Sequence, residues 1–347
     1  MSHPAPALLA PDNFTPATRT PWGGTRIARA YKNGVGVATG ARIGESWEVS
    51  VEPDFPARLA SGQLLGDYIA NDPAHVLGGE RHPGATGTAL LVKLLDADEP
   101  LSVQIHPSDA YPRLSPGESG KPESWYVVER APGAGFYLGF RRGTREDDVR
   151  AALAEGASLE PLLRFVPVEP GDFFVIDAGT PHAIGAGVTL IEPQHVAPGA
   201  RGVTYRYWDW NRRYDAEGRA DPHGKPRALH VDHALAVTEW ERVQADGFIE
   251  SIRVRAGSPA LEGPAVATPL AGDGGLANAF LRVTRLAGTG SARLPAAERL
   301  HGITVVDGTV RLGELQVTRG RSAVVPACCA GMTVELARAH ALVCAIA

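Results

Sequence analysis

The stretch "LSVQIHPSD" (residues 101–109) places a glutamine and a histidine inside an otherwise apolar run typical of a β-strand. Gln104 and His106 are two residues apart, so on a strand their side chains project from the same face. A single buried histidine is usually a hydrogen-bonded core residue. By itself the pair therefore indicates either a buried hydrogen bond or part of a metal site.

Two later segments carry further groups that can bind a metal. "GKPESWYVVE" (120–129) begins a second apolar strand with Glu123, and "DAGTPHAIGAG" (177–187) presents His182 from a turn framed by glycine and proline. One amide oxygen, one carboxylate and two imidazoles that converge in a barrel would hold a divalent metal such as zinc, with no thiolate. Such a set leaves a coordination position for water or substrate, as catalytic metals require. Only the fold can bring these distant residues together.

The surrounding sequence is predicted to be all-β. The 40 glycines and 28 prolines break the chain into short apolar runs, a pattern typical of antiparallel sheets. Two helical segments, 61–72 and 143–166, are expected to pack over these sheets. The candidate strands are rich in Val, Ile, Phe and Tyr, and they cover residues 89–97, 101–106, 124–129, 134–140, 172–177 and 187–193.

A chain of 347 residues is expected to form two domains. We place the boundary near residue 245, giving a metal-binding domain with helical insertions (1–245) and a smaller β domain (246–347). "EPGDFFVIDAGTPHAI" and "TRGRSAVVPACCAGMTV" share a rhythm, and aligning Gly320 on Gly171 puts Gly331 where the first copy has His182. Either both domains are barrels of one type and only the first keeps a metal site, or these are two unrelated strand-turn-strand units.

Composition excludes several classes of partner. The net charge of −5, without a basic stripe, argues against nucleic-acid binding. No apolar segment is long enough to cross a membrane, and the N-terminal residues do not have the pattern of a signal peptide, so a cytoplasmic protein is expected. The three cysteines are too few and too clustered for a disulfide framework and are expected to be buried, at positions Cys328, Cys329 and Cys344.

The sequence resembles the type I phosphomannose isomerases of the cupin superfamily, in their short bacterial form, over nearly the whole chain. The strongest match is "LSVQIHPSD" followed by "GKPES". The matching segments are "WGGTRI" (22–27), "IGESWEVS" (43–50), "LLVKLLDADEPLSVQIHPSD" (90–109), "GKPESWYVV" (120–128), "PGDFFVIDAGTPHAIGAGVTLIEPQ" (170–194) and "TYRYWDW" (204–210).

This resemblance implies a fold of two cupin (jelly-roll) barrels with a small helical elaboration. It implies one Zn²⁺ per chain, held by Gln104, His106, Glu123 and His182. The implied activity interconverts mannose 6-phosphate and fructose 6-phosphate through a cis-enediol, so the partner is a small phosphosugar. Zinc would act as a Lewis acid on the sugar oxygens, and no redox cofactor is needed.

The resemblance also implies roles for further residues. Arg206 aligns with the catalytic arginine of the family and would hold an oxyanion or the phosphate. Lys121, beside the ligand Glu123, would be a second cation at the mouth of the zinc site with catalytic and substrate-binding roles, and Glu192 is the candidate base. Without the resemblance, Lys121 would be interpreted as a surface lysine in a loop. Trp22 and Glu48 would bind substrate by shaping the pocket wall.

One segment departs from the family pattern. Where the family typically has "QQSSDTTYR" after the glutamate, this chain has "EPQHVAPGARGVTYR" (192–206), which is longer and lacks the aspartate. His195 is then either a replacement polar group or an exposed loop residue, and we favour the loop. The departure leaves two alternatives open, namely an isomerase of a different sugar or sugar phosphate, and a cupin that binds a sugar or metal without catalysis.

Overall fold

The computed structural model describes residues 4–80 and 87–347. The strands in chain order are β1 (Ala7–Leu8), β2 (Glu45–Val49), β3 (Leu90–Ala97), β4 (Val103–Ile105), β5 (Glu118–Ser119), β6 (Glu123–Arg130), β7 (Gly135–Phe140), β8 (Leu163–Pro167), β9 (Asp172–Ile176), β10 (His182–Ile184), β11 (Val188–His195), β12 (Arg201–Gly202), β13 (Tyr205–Trp208), β14 (Arg253–Arg255), β15 (Val266–Ala271), β16 (Leu281–Arg293), β17 (His301–Leu312), β18 (Leu315–Thr318), β19 (Ser322–Val325) and β20 (Thr333–Ile346). The α-helices are α1 (Leu65–Asn71), α2 (Pro73–Leu77), α3 (Glu146–Ala154), α4 (Val231–Ala236), α5 (Trp240–Gln244) and α6 (Phe248–Ile252). Shorter helical turns are the π-helix Ile27–Tyr31 and the 3₁₀ segments Glu160–Leu162 and Ala327–Cys329.

The prediction of a mostly β chain built from antiparallel sheets is confirmed. A six-stranded sheet, in the order β14-β9-β6-β11-β3-β2, packs on a five-stranded sheet in the order β13-β4-β10-β7-β8. Aromatic side chains join the two sheets. The ring of Trp125 on β6 lies 4.6 Å from that of Phe136 on β7, and Phe136 lies 5.3 Å from Phe174 on β9, between ring centroids. A parallel pair, β5 with β12, lies apart from these sheets.

A seven-stranded sheet covers the outer face of the six-stranded sheet. Its order is β1-β19-β17-β20-β16-β15, with β18 paired to β17. Val49 and Leu90 of the six-stranded sheet share one core cluster with Val324 and Leu342 of the seven-stranded sheet. The opposite face of the seven-stranded sheet encloses a separate apolar cluster that includes Ile303, Val305 and Val343.

The six-stranded sheet is thus buried on both faces, which explains its apolar runs. All eight residues of β3 are buried. Leu90, Val92 and Leu94 face the core shared with the seven-stranded sheet, so the alternate residue Lys93 points the other way. A buried lysine needs a charged partner. The face of the six-stranded sheet that points toward the five-stranded sheet, here called the inner face, must therefore carry polar groups.

Some local predictions need correction. The helix predicted at 61–72 is limited to α1, and α2 begins directly after the predicted segment. Asp72 ends the first helix and accepts a hydrogen bond from the backbone N–H of His75 at the start of the second. The last residues of the helical segment predicted at 143–166 form strand β8 instead. Cys344 is buried as expected, but Cys328 is exposed and Cys329 is only half-buried. In the described part of the chain, no helix has the length and apolar character needed to span a membrane.

Candidate metal centre

Three of the four predicted metal ligands form one buried group. The candidate ligand atoms of His106, Glu123 and His182 all lie within 4.8 Å of one another. The Nε2 atom of His106 is 3.2 Å from one carboxylate oxygen of Glu123, and the Nε2 atom of His182 is 3.3 Å from the other. His106 follows β4, His182 begins the neighbouring strand β10, and Glu123 begins β6 in the facing sheet. The group therefore forms only when the two sheets pack together.

Backbone carbonyls fix the proton on each imidazole. Nδ1 of His106 donates to the carbonyl oxygen of Val203 at 2.9 Å, and Nδ1 of His182 donates to that of Thr180 at 2.8 Å. Each Nε2 atom therefore carries a lone pair, and among the described residues neither Nε2 has a hydrogen-bond partner. Burial and the charge of Lys121 lower the pKa of His106 to about 3. Both rings are thus held in the neutral form that metal ligation needs.

The donor set fits a divalent cation. Two lone pairs and a carboxylate that face one another repel unless a positive charge lies between them. Two imidazole nitrogens and a carboxylate oxygen are typical zinc ligands. Gln104 lies beside this group, since it is paired in register with His182 on the neighbouring strand and lines the adjoining cavity.

Two further side chains orient the carboxylate of Glu123. The side-chain amide of Gln194 donates to one carboxylate oxygen at 2.5 Å, and the indole N–H of Trp125 donates to the other at 3.1 Å. Such outer contacts set the direction of a ligating carboxylate. The sequence contained Gln194 within the resembling segment, but nothing in the strand pattern identified Glu123 as its partner.

A cavity of about 300 Å³ opens beside the metal group. It brings together five of the predicted site residues and several that the sequence analysis did not select. The predicted residues at its wall are Trp22, Gln104, Lys121, Glu192 and Arg206, and the added ones include Arg19, Glu45, Lys93, Ser102 and Arg227.

The structure does not bring Glu48 into this cavity. Its carboxylate lies in a buried network with Lys32 and Ser322, on the side of β2 that faces the seven-stranded sheet. Glu45, at the start of the same strand, lines the cavity instead. The motif "ESWE" offers two glutamates, and the structure places the first of them at the pocket.

Glu192 and Lys93 form a buried pair at the cavity wall. The ammonium of Lys93 is 3.4 Å from one carboxylate oxygen of Glu192, and the indole N–H of Trp125 donates to the other at 3.1 Å. Burial, followed by the charge of Glu123, raises the pKa of Glu192 to about 7. Burial also lowers the pKa of Lys121, with the neighbouring charge of Lys93 acting in the same direction. Glu192 is therefore suited to proton transfer near neutral pH.

Guanidinium groups occupy another part of the cavity wall. Arg206 donates from Nε to the hydroxyl of Ser102 at 3.0 Å and from Nη1 to the carbonyl oxygen of Ala228 at 2.8 Å. Burial and the nearby charge of Arg227 lower the pKa of Arg206 to about 10. Like charges held together in this way favour an anion between or beside them.

Arg227 comes from a polar, turn-rich segment that the strand and helix patterns did not mark as functional. Asp209, which is buried, accepts hydrogen bonds from Nη2 and Nε of Arg227 at 2.6 and 2.7 Å. This two-point contact fixes the direction of the guanidinium at the cavity. A lone arginine in a loop carries no periodic signal, so only the three-dimensional structure identifies it.

The unusual segment before Arg206 folds differently from expectation. His195 ends strand β11 and packs against the ring of Phe280 at 5.2 Å between centroids, so it is neither in the cavity nor in an exposed loop. Gly202 lies against Lys121, and a Cβ atom at this glycine would be only 2.7 Å from Cδ of that lysine. The missing side chain leaves room for Lys121 to extend to the cavity.

The fold and the site define a mostly β protein with a buried group suited to a divalent metal. Sequence comparisons identify the family to which such a protein belongs. The family profile for the catalytic domain of phosphomannose isomerase type I matches residues 16–125. A mannose-6-phosphate isomerase of Streptococcus mutans is 33% identical over 62% of this chain and 63% of its own length. A putative mannose-6-phosphate isomerase of Bacillus subtilis, YvyI, is 32% identical over 66% of this chain and 67% of its own. The chain belongs to the type I phosphomannose isomerase family.

Solved structures share the fold. A putative mannosephosphate isomerase from Archaeoglobus fulgidus has a TM-score of 0.75 at 23% identity, covering 100% of this chain and 99% of that one. A mannose 6-phosphate isomerase from Salmonella typhimurium, solved with its substrate fructose 6-phosphate and zinc, has a TM-score of 0.66 at 15% identity, covering 98% and 99% of the two chains. The sequence match to the Streptococcus mutans enzyme spans less than two thirds of that protein's length. The structural matches cover nearly the whole of both chains, so the similarity of fold extends beyond the region of sequence similarity.

Replacing either imidazole should remove the metal. We expect His106→Ala and His182→Ala, each purified and dialysed against Zn²⁺, to retain less than about a tenth of one equivalent of zinc by elemental analysis, because each leaves the carboxylate with a single imidazole. His195→Ala is the matched control and should bind zinc as the wild type does. Full zinc content in both His106→Ala and His182→Ala would show that the metal is bound elsewhere.

Proposed function

We propose that this protein is a zinc-dependent aldose-ketose isomerase that interconverts mannose 6-phosphate and fructose 6-phosphate through a cis-enediol. The observation that carries the proposal is the buried group of His106, Glu123 and His182, which adjoins a cavity lined by a candidate base and by arginines. We further propose two cupin barrels divided near residue 245, a metal-binding one (1–245) and a second, degenerate one (246–347), with β14 of the second segment paired to β9 and β1 of the first segment paired to β19.

The proposed ligand set adds Gln104 to His106, Glu123 and His182 and holds one zinc ion per chain. When bound, zinc would polarise the carbonyl and hydroxyl oxygens of the sugar and so acidify the proton on the adjacent carbon. The related enzyme from Salmonella typhimurium contains zinc together with fructose 6-phosphate, which supports this assignment. The neutral imidazoles and their fixed tautomers support it independently.

Glu192 is the proposed base. Isomerisation takes a proton from one of the carbons C1 and C2 and returns it to the other, so the base must accept and release a proton under the same conditions. A carboxyl group whose pKa lies near 7 meets this requirement. The bonds to Trp125 and Lys93 hold both of its oxygens in place, which limits the reorganisation needed during transfer.

The cations at the wall have separate proposed roles. Lys121 lines the cavity beside the metal group. Its ammonium would donate a hydrogen bond to the sugar oxygen that becomes negatively charged during the reaction. Arg206, Arg227 and Arg19 would hold the phosphate, since a guanidinium matches a phosphate with paired hydrogen bonds and stays charged throughout. This arrangement favours a phosphorylated sugar over a free one.

Activity should depend on the metal. We expect purified protein to convert mannose 6-phosphate to fructose 6-phosphate in a coupled assay, to lose that activity after chelation and dialysis, and to regain it when Zn²⁺ is added. The physical reason is that Lewis-acid polarisation has no substitute among the side chains of the cavity. Undiminished turnover by protein shown to be metal-free would refute the proposal, as would the absence of turnover from zinc-loaded protein.

Loss of the proposed base should act on the chemical step. Glu192→Gln keeps the size of the side chain and removes its ability to take a proton, so kcat should fall roughly 10²- to 10⁴-fold while KM changes little. Steady-state kinetics on zinc-loaded protein measures both. Glu155→Gln, at an exposed carboxyl group after α3, should leave the kinetics unchanged. A wild-type kcat in the Glu192 variant would assign the proton transfer to another group.

Loss of the proposed phosphate anchor should act on binding. Arg227→Met should raise KM for mannose 6-phosphate roughly 10- to 100-fold, because a charge-assisted hydrogen bond contributes about 1.5–3 kcal/mol. Any turnover of free mannose should be unaffected, since that sugar offers no phosphate. Arg213→Met, at an exposed arginine of the same segment, is the control and should keep the wild-type KM. An unchanged KM in Arg227→Met would place the phosphate elsewhere.

A further inference from the structure

A buried ion pair between Glu48 on β2 and Lys32, which follows the π-helix, contacts the seven-stranded sheet. The ammonium of Lys32 is 2.6 Å from Oε1 of Glu48, and the two side chains are 0% and 2% exposed. Lys32 also donates to the carbonyl oxygen of Gly320 at 2.7 Å, and the hydroxyl of Ser322 donates to Oε2 of Glu48 at 2.8 Å. Ser46 donates to Oε1 at 2.7 Å. Every one of these contacts lies on the side of β2 away from the cavity.

Glu48 sits at an irregularity in the strand pairing. Trp47 is opposite Lys93 on β3 and Val49 is opposite Val92, so Glu48 has no residue opposite it. An extra residue of this kind is a β-bulge, and bulges redirect the neighbouring side chains of a strand. The carboxylate of the bulged residue, Glu48, accepts the hydrogen bond from Ser322 of the seven-stranded sheet.

Of the residues before the bulge, Glu45 lines the cavity and Trp47 packs behind other residues of the cavity wall. The ammonium of Lys93 lies 4.4 Å from the centroid of the Trp47 ring, and the indole N–H of Trp47 donates to Glu45 at 2.8 Å. The guanidinium of Arg19 lies 5.5 Å from the centroid of the same Trp47 ring. Lys93, Glu45 and Arg19 all line the cavity. The Trp47 side chain therefore packs against two cations of the cavity wall.

These contacts continue to the proposed base. Lys93 is 3.4 Å from Glu192, so an unbroken series of neighbours leads from Ser322 in the seven-stranded sheet through Glu48, Trp47 and Lys93 to Glu192. Stability alone does not account for a buried ion pair at its origin, because an apolar pair of similar volume is often at least as stable. What an ion pair adds is a fixed geometry for the groups that carry it.

We propose that Glu48 and Lys32 are positioning residues, through which the seven-stranded sheet holds Trp47 and, by its contact with Trp47, Lys93 of the cavity wall in the geometry needed for turnover. This inference rests on the proposed isomerase function. It replaces the sequence-based assignment of Glu48 to the pocket wall, and it gives the seven-stranded sheet a role in the reaction although that sheet contributes no residue to the cavity lining described above.

The test removes both charges together. Lys32→Met/Glu48→Met leaves no unpaired buried charge, so the variant should fold and keep one equivalent of zinc. We expect kcat for mannose 6-phosphate to fall about 10- to 100-fold, because small displacements far from the chemistry have effects of that size, with KM changing less than about threefold. Hydrogen exchange of the backbone amides at 45–49 should be faster than in the wild type, and that at 123–130 unchanged.

Two further variants separate positioning from general loss of stability. Ser322→Ala removes one hydroxyl donor from Glu48 without touching a charge and should lower kcat severalfold, which keeps the test informative if the double variant does not fold. Val305→Ala creates a cavity in the other core of the seven-stranded sheet, so it should lower the melting temperature by several degrees yet leave kcat and the exchange at 45–49 unchanged.

The outcomes discriminate between the two proposals. A wild-type kcat in Ser322→Ala and in the folded double variant would overturn the positioning role and leave the isomerase function standing. A kcat loss in Val305→Ala as large as that in the double variant, at equal loss of stability, would also overturn it. No turnover by the wild type with zinc would instead refute the isomerase function.

Discussion

The site depends on two uncharged imidazoles whose lone pairs face one buried carboxylate. The carbonyl oxygens of Val203 and Thr180 impose this state, since each can only accept a hydrogen bond and so holds the proton on Nδ1. Without a cation the arrangement is repulsive, and burial removes the water that would otherwise relieve it. The strands that carry His106, His182 and Glu123 must therefore be held in place by packing that does not involve the site itself.

That packing comes from the six-stranded sheet, which is buried on both faces and packs against the five-stranded sheet that carries both histidines. Each polar group on its inner face must find a partner in the sheet, and the partners are other functional groups: Lys93 with Glu192, Gln194 with Glu123, and Trp125 with both carboxylates. The polar side chains of the inner face are thus connected to one another by hydrogen bonds and an ion pair. A substitution at one of these positions leaves its neighbour unpaired, so effects on stability and on chemistry are expected to be coupled there.

The sequence predicted the parts of this arrangement that follow from local periodicity. Gln104 and His106 share a face because they are two residues apart, and the strands around them follow from apolar runs. The convergence of Glu123 and His182 required the family resemblance, because periodicity does not reveal which strands are neighbours. Arg227 was missed because its segment has no period.

The remaining differences have the same kind of origin. Lys93 was hidden in the run "LLVKLL" (90–95), whose other members are apolar, although a charge in the middle of a strand buried on both faces is a signal as strong as that of His106. Glu48 was assigned to the pocket from the motif alone, and a motif does not show where a bulge falls. The pairing of Trp47 with Lys93 and of Val49 with Val92 sets Glu48 aside from β3, and this is visible only when both strands are seen together.

The two faces of the seven-stranded sheet have different surroundings. One face encloses a core that includes Ile303, Val305 and Val343. The other face meets β2 with a hydroxyl and a backbone carbonyl, from Ser322 and Gly320, placed where Glu48 and Lys32 need partners. Because a buried charge tolerates little displacement from its partners, these few polar atoms constrain β2 more narrowly in direction than the larger apolar contact around them, which tolerates repacking.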